Sequence, residues 1–404
     1  MRVALLALIS CCFAAQVEGA RLATDSDNHE QLENLPPASY AFAPPSERVP
    51  PADDPEKPQA GDGARATGDH AESRRIARGS ITPEADAAIR RGLDFLVKRD
   101  LHRSGDGSFD REFPVALTAL AGMALLGYGA EYKRGPYGAN LARAVEYLLD
   151  ARRRDEHGYF QDGRSKMHGH AYAVLFLAQV AGSVSSDGKD REIRETVQSG
   201  VRVIESSQTA EGGWNYDPRR DKGDEGSITV CCLQALRAAN DAGFLVDKKV
   251  IDRAVDYMRR SANPDGSFRY SLSSGSDRRS YELTAAAVST LDAAGLYTGE
   301  VHSRGVAYMK RRWQENPKKP LLACHFEQYR PYGNFYAAQV YHQLGGETWE
   351  SWSSLSYPAL IEEQDSDGSW KSSYGSSEDG KVFGTVMSVL MLEIPLGYLP
   401  IFER

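Results

Sequence analysis

Cysteine is scarce in this chain: five in 404 residues, with Cys11 and Cys12 near the N-terminus. Beyond them stand only Cys231, Cys232 and Cys324, an odd number with two adjacent members. Such a set excludes a disulfide framework. Cys231 and Cys232 sit inside an apolar helical run and read as small core residues. Positive charge is not in surplus either. The formal net charge of -8 and the pI near 5.7 argue against nucleic acid as a bulk partner. After the first residues, no run is long and apolar enough to span a bilayer. What is present is 41% hydrophobic and 26% charged, enough apolar material for a large core.

The N-terminus reads as an export signal over residues 1–20. Arg2 is a minimal basic region, Val3 to Ala15 is a short apolar run, and Val17-Glu-Gly19 offers small residues for cleavage. Leu8-Ile-Ser-Cys11 also resembles a bacterial lipobox, which implies a lipid on Cys11 as the one route to a membrane. Residues 21–80 hold Leu35-Pro-Pro37, Ala43-Pro-Pro45 and Val49-Pro-Pro51 and lack a hydrophobic period. They are expected to form a disordered tether. The domain is expected over 81–404, and the protein is expected to be periplasmic or secreted.

Within that domain one layout recurs. Gln208-Thr-Ala-Glu-Gly-Gly-Trp214 and Gln364-Asp-Ser-Asp-Gly-Ser-Trp370 share a Gln, an acidic-Gly turn and an aromatic. Asp106-Gly-Ser-Phe109, His157-Gly-Tyr-Phe160 and Asp265-Gly-Ser-Phe268 are weaker copies. The aromatics at 109, 160, 214 and 268 are 51, 54 and 54 residues apart, and from 214 to 370 is 156, three steps of 52. A period near fifty signals a repeat architecture. Between the turns, amphipathic helices are predicted near 84–99, 140–153, 192–207, 248–261, 302–315 and 350–364. Helices apolar nearly all round are predicted near 113–128, 168–181, 227–242, 280–294, 333–344 and 382–392, and such helices are buried. Six alternating pairs predict an all-α fold, a closed α/α toroid with outer and inner rings. The fifth pair departs from the pattern: it lacks the Asp-Gly turn and carries an insertion from Pro317 to Tyr332. Gln208, Trp214, Phe268, Gln364 and Trp370 read as staples between neighbouring pairs.

The motifs at 208–214 and 364–370 resemble the QW repeats of squalene–hopene and oxidosqualene cyclases. The six-pair plan resembles the toroid of terpenoid cyclases and protein prenyltransferase β-subunits. Gly212-Gly-Trp-Asn-Tyr216, Tyr332-Gly-Asn-Phe-Tyr-Ala-Ala-Gln339 and Tyr398-Leu-Pro-Ile-Phe402 look most like bacterial exported prenyltransferase and squalene oxidase repeat proteins. The cyclase resemblance implies an Asp-x-Asp-Asp acid motif. Here Gly223-Asp-Glu-Gly226 stands in its place, with Glu225 alone at the central acid position. The prenyltransferase resemblance implies zinc on Asp, Cys and His. Two residues before Cys231 and Cys232, however, stand Thr229 and Val230, and Cys324-His325 lies in the insertion. Neither a metal nor another cofactor is therefore expected. Cys324-His-Phe-Glu-Gln328 is one residue too long for a complement-type thioester.

The N-termini of the inner helices should gather at one mouth of the ring. His168, His170, Asp224, Tyr281, Tyr329, Tyr332 and Tyr336 are candidate ligand-binding residues there, with Glu225 and Glu282 as candidate acids. His168 and His170, at i and i+2, do not share a helix face. The three tyrosines at 329, 332 and 336 form one stripe. The reading these features support is a toroid that binds an apolar, isoprenoid-like or extended ligand, or a protein partner. Two enzyme readings stand beside it. One is a cyclase using Glu225 as acid. The other is a polysaccharide-processing barrel using Glu225 with Glu282.

Overall fold

The computed structural model describes residues 81–99, 102–103, 105–184, 186–275, 278–373 and 377–397. The expected signal, Cys11, the Pro-rich segment and the stretch at 398–402 lie outside them. Among the described residues there are twelve α-helices and no strand. The outer helices are α1 (Pro83–Lys98), α3 (Gly138–Leu149), α5 (Asp187–Ser207), α7 (Lys248–Ser261), α9 (Glu300–Gln314) and α11 (Gly346–Glu362). The inner helices are α2 (Pro114–Gly127), α4 (Lys166–Val180), α6 (Gly226–Asp241), α8 (Tyr281–Ala293), α10 (Arg330–Leu344) and α12 (Ser377–Glu393). The predicted spans fall on these twelve helices, with ends displaced by at most five residues, the largest shifts being at the starts of α5 and α12.

Local chemistry fixes the elements. Thr82 caps α1, its Oγ1 accepting from the Ala85 N–H at 3.2 Å, and Pro83 fills the first helical position. On α7, Val250, Ile251, Ala254, Tyr257, Met258 and Ser261 are buried in a 3-4 stripe, while Asp252, Arg253, Asp256 and Arg259 carry the wet face. Inner helices α2 and α4 bury nearly every side chain. Each inner helix packs on the next, from α2 through α4, α6, α8 and α10 to α12, and α12 packs back on α2. The inner ring is thus closed, an α/α toroid. Outer helix α1 lies on α12, and α3, α5, α7, α9 and α11 lie on α2, α4, α6, α8 and α10.

The aromatic turns lock each outer helix to its neighbours. Trp214 donates its indole N–H to Ile204 O at 2.7 Å, and Trp370 donates to Leu360 O at 2.7 Å. Gln208 Nε2 donates to Val250 O, on the next outer helix, at 2.9 Å. Gln364 Nε2 donates to Ala88 O at 2.9 Å and so ties the last turn to α1. Glycine is required at these turns. Gly212 and Gly368 have φ of 91° and 90°, and a Cβ on either would stand 2.5 or 2.4 Å from the carbonyl oxygen of Arg253 or Arg91. The backbone N–H of each turn aromatic donates to a side chain on the following inner helix. The acceptors are Thr118 for Phe109, Thr229 for Trp214, Thr284 for Phe268 and Thr385 for Trp370, at 3.0–3.2 Å.

In the fifth pair the insertion forms short 3-10 turns at Pro320–Ala323 and Glu327–Tyr329. Asn334 of α10 anchors it, donating to Leu321 O at 3.1 Å. The insertion also reaches back to α8, where Tyr281 N–H donates to His325 Nδ1 at 3.0 Å.

Candidate functional site

All nine candidate residues lie toward the N-terminal ends of inner helices, and all are buried. Glu225 is the N-cap of α6. Its carboxylate accepts from Ser227 N–H at 3.1 Å, Ile228 N–H at 2.7 Å and Ser227 Oγ–H at 2.6 Å. Burial pushes its carboxyl above the usual range, against the pull of those donors. Because Ser227 spends its proton on Glu225, its oxygen accepts from His168 Nε2, 3.1 Å away. Burial lowers the His168 imidazole to about 3, so the ring is neutral. A His168–Ser227–Glu225 chain can pass a proton. A space of about 20 Å³ adjoins Ser227 at this mouth, bounded also by Tyr270, Arg278, Glu282, Phe326 and Tyr332 among others.

The neighbouring candidates are held as firmly. Asp224 accepts from Tyr257 O–H at 2.6 Å, Leu272 N–H at 2.7 Å and Ser273 N–H at 2.9 Å, clamping the loop at 271–275. Burial would raise its carboxyl, but these donors hold it below the usual range. His170 occupies the place that Thr118, Thr229, Thr284 and Thr385 hold in the other pairs. Its Nδ1 accepts from Phe160 N–H at 3.1 Å, so its Nε2 carries the proton and donates to Gly200 O at 3.0 Å. Burial lowers it to about 4. Glu282 Oε1 accepts from Phe326 N–H at 2.7 Å, while Oε2 faces His325 Nδ1 at 3.9 Å, and burial raises this carboxyl too. Tyr281 is fully buried, with its hydroxyl 3.5 Å from that of Tyr341. Tyr332 and Tyr336 pack edge to face, with centroids 4.7 Å apart, and Tyr329 is the residue before α10. Tyr336 O–H donates to Gln234 Oε1 at 3.0 Å. The structure therefore brings His168 to Glu225 but keeps His170 apart, in the packing layer under α5.

Space lies at the opposite mouth. A cavity of about 480 Å³ is walled by the C-terminal turns of α4, α6, α8 and α10 and closed on one side by Ile394. Gln179, Gln234, Arg237, Ser289, Asp292 and Gln339 are among its polar lining. Among the described residues no three His, Cys, Asp or Glu side chains gather as a metal site. No helix there is long and apolar enough to cross a membrane.

No family model matches the sequence, and no curated protein matches it. Solved structures do match. A variant of the type II terpene cyclase MstE from Scytonema, in complex with geranylgeranyl dihydroxybenzoate, aligns with a TM-score of 0.52 at 16% identity, covering 78% of this chain and 98% of that chain. The apo form of MstE aligns with a TM-score of 0.51 at 16% identity, covering 79% and 100%. This chain has the fold of a terpenoid cyclase. On this toroid, sequence reading directed attention to the N-terminal mouth and missed the glutamines of the C-terminal one. The signal was available: Gln179, Gln234 and Gln339 are polar islands in inner helices otherwise apolar all round.

Proposed function

We propose that this protein is an exported ligand-binding toroid that performs no acid-initiated cyclisation. One observation supports this above others. The candidate acid Glu225 lies behind its partner Ser227, which lines a space of about 20 Å³, while about 480 Å³ is open at the other end of the ring. An initiating acid must reach its substrate within hydrogen-bond distance. Glu225 instead spends its carboxylate on the first turn of α6, and no chain of isoprene units fits beside it. The paired-carboxylate reading meets a related obstacle, because Glu282 spends Oε1 on the backbone of Phe326 under the insertion and only Oε2 stays unbonded. The cyclase neighbour's complex with a geranylgeranyl substrate makes isoprenoids the first compounds to try. Export rests on the N-terminal sequence, and a protein partner over the mouth is compatible with binding.

The test is direct. Purified protein is extracted with organic and with aqueous solvent, and both extracts are analysed by mass spectrometry. A compound recovered in stoichiometric amount supports the binding reading. Separately, the protein is incubated with geranylgeraniol and with squalene. A cyclised product that disappears in Glu225→Gln would overturn it.

A further inference from the structure

Two amide groups in the wall of the larger cavity lack protein partners for one polar atom each. Tyr336 O–H donates to Gln234 Oε1 at 3.0 Å, and Ser289 O–H donates to Gln339 Oε1 at 2.8 Å. Each bond fixes its amide oxygen and leaves Nε2 with two N–H groups and no acceptor. Gln234 is 2% exposed and Gln339 9% exposed, so bulk water does not serve them. Across the cavity, Gln179 Oε1 is a buried acceptor without a donor. These three side chains come from three different inner helices, α4, α6 and α10, and converge on one space.

The charges of the wall are already answered. Arg237 pairs with Asp241 at 3.7 Å, and its Nε donates to Ala293 O at 3.1 Å. Asp292 Oδ1 and His302 Nε2 are 2.8 Å apart. Arg237, Asp241 and Asp292 therefore offer no unpaired charge to a ligand. The lining at Ala178, Ala181, Ala238, Ala242 and Ala293 consists of small side chains that leave room, His342, Gln343 and Ile394 complete the wall, and Tyr297, 51% exposed, stands at the rim. A ligand that suits this wall must accept from two amide nitrogens, donate to an amide oxygen and carry no net charge. Hydroxyl groups both donate and accept, and the hydrocarbon chain of an isoprenoid does neither. Burying these amides against hydrocarbon would leave them unsatisfied, at a cost per group comparable to a lost hydrogen bond. The terminal torsion of Gln is broad, so each amide can turn to a ligand without leaving a rotamer well. A cavity of this volume lies in the range that holds a small organic ligand.

We infer that the C-terminal mouth is a binding site for a neutral, hydroxyl-rich ligand of the saccharide class, held by Gln179, Gln234 and Gln339. The inference rests on the binding reading above and narrows it to a chemical class and a place.

Saturation-transfer NMR on the purified protein provides the test, with glucose, N-acetylglucosamine, cellobiose and chitobiose as probes and geranylgeraniol in detergent as the contrasting probe. At least one saccharide is expected to bind. Gln234→Leu and Gln339→Leu are each expected to weaken it about tenfold, the size of one lost hydrogen bond in a dry site. Ala293→Phe, which fills the cavity from its rim, is expected to abolish binding with the far-UV spectrum and melting curve unchanged. That variant also keeps the test decisive if a leucine variant does not fold. Saccharide binding that persists in Ala293→Phe overturns the site. Binding of geranylgeraniol alone, lost in Ala293→Phe, overturns the saccharide class while leaving the binding reading intact. Binding of neither probe class, with empty extracts, overturns both.

Discussion

The two mouths of the ring are built from the same inner helices and differ in what their polar groups do. At the N-terminal mouth, most polar groups are spent on the backbone, with Glu282 Oε2 an exception that has no hydrogen-bond partner. Glu225 takes the first N–H groups of α6, Asp224 takes those of 272 and 273, and His170 takes that of Phe160. At the C-terminal mouth, Gln234 and Gln339 each keep a donor unspent beside about 480 Å³ of space. Helix geometry explains part of the contrast. Helix N-termini present orphan N–H groups and a partial positive charge, which carboxylates and hydroxyls satisfy. A residue type that signals chemistry in a motif is therefore consumed here as a cap. The lesson is that a buried polar residue points to function when its hydrogen bonds do not close within the protein, more than when its type matches a catalytic list.

The largest expected effect breaks the N-terminal side of this contrast. Asp224→Ala removes the acceptor of Tyr257 O–H and of the N–H groups of Leu272 and Ser273, all three at 2.9 Å or less. Stranding buried donors is expected to cost about 2–4 kcal/mol. Urea unfolding checks it: the midpoint should fall with an unchanged slope. Because donors hold the Asp224 carboxyl below its ordinary value, its stabilisation is present above pH 3.8 and is lost as the pH falls through the folded value. A variant that unfolds like the parent at pH 7 would show that the clamp is idle.

The second prediction concerns an acid at the opposite end. Glu393 ends α12 beside Ile394, is fully buried, and has no hydrogen-bond partner on either carboxylate oxygen. Burial raises its carboxyl well above the ordinary 4.5, so it is held neutral where a solvated glutamate is ionised. The sign follows. With the folded value above the unfolded one, its favourable contribution is complete below pH 4.5. It is lost as the pH rises toward the folded value. Glu393→Gln cannot ionise and is expected to stabilise the protein at pH 8, by a gain that shrinks as the pH falls toward 4.5. At pH 4.5 the gain should vanish. Melting curves at the two pH values decide it, and an equal effect at both would refute the burial argument.

Much of the fold was legible because its signals are periodic. The spacing of Phe109, Phe160, Trp214, Phe268 and Trp370 located five turns, and the alternation of amphipathic and apolar stretches located twelve helices. The insertion after α9 was visible as a break in the pattern, but not its reach back to Tyr281 and Glu282, since no local rule encodes a contact across 44 residues. The site was harder. His168 and Glu225 share a polar chain through Ser227, a relation that depends on how α4 and α6 face each other. His170 looked like chemistry until its place matched that of a threonine in four other pairs. The glutamines were passed over because single polar residues in apolar helices resemble helix formers with no assigned task. Their convergence appears only once the ring closes.

The smallest expected effect sharpens the comparison from the other side. Gln234→Leu removes one bond, from Tyr336, and at the same time removes an amide nitrogen that has no acceptor in the protein. Taking this acceptor from the buried Tyr336 O–H costs about 1–3 kcal/mol, and removing an unsatisfied buried donor offsets a similar amount. The two nearly cancel, so the variant should unfold within about 1 kcal/mol of the parent. A buried polar residue that costs nothing to remove, next to an Asp224 whose removal is costly, is the pattern expected of a residue kept for a ligand. If Gln234→Leu instead lost as much stability as Asp224→Ala in the same urea titration, the amide would be structural. The two mouths would then differ in space alone.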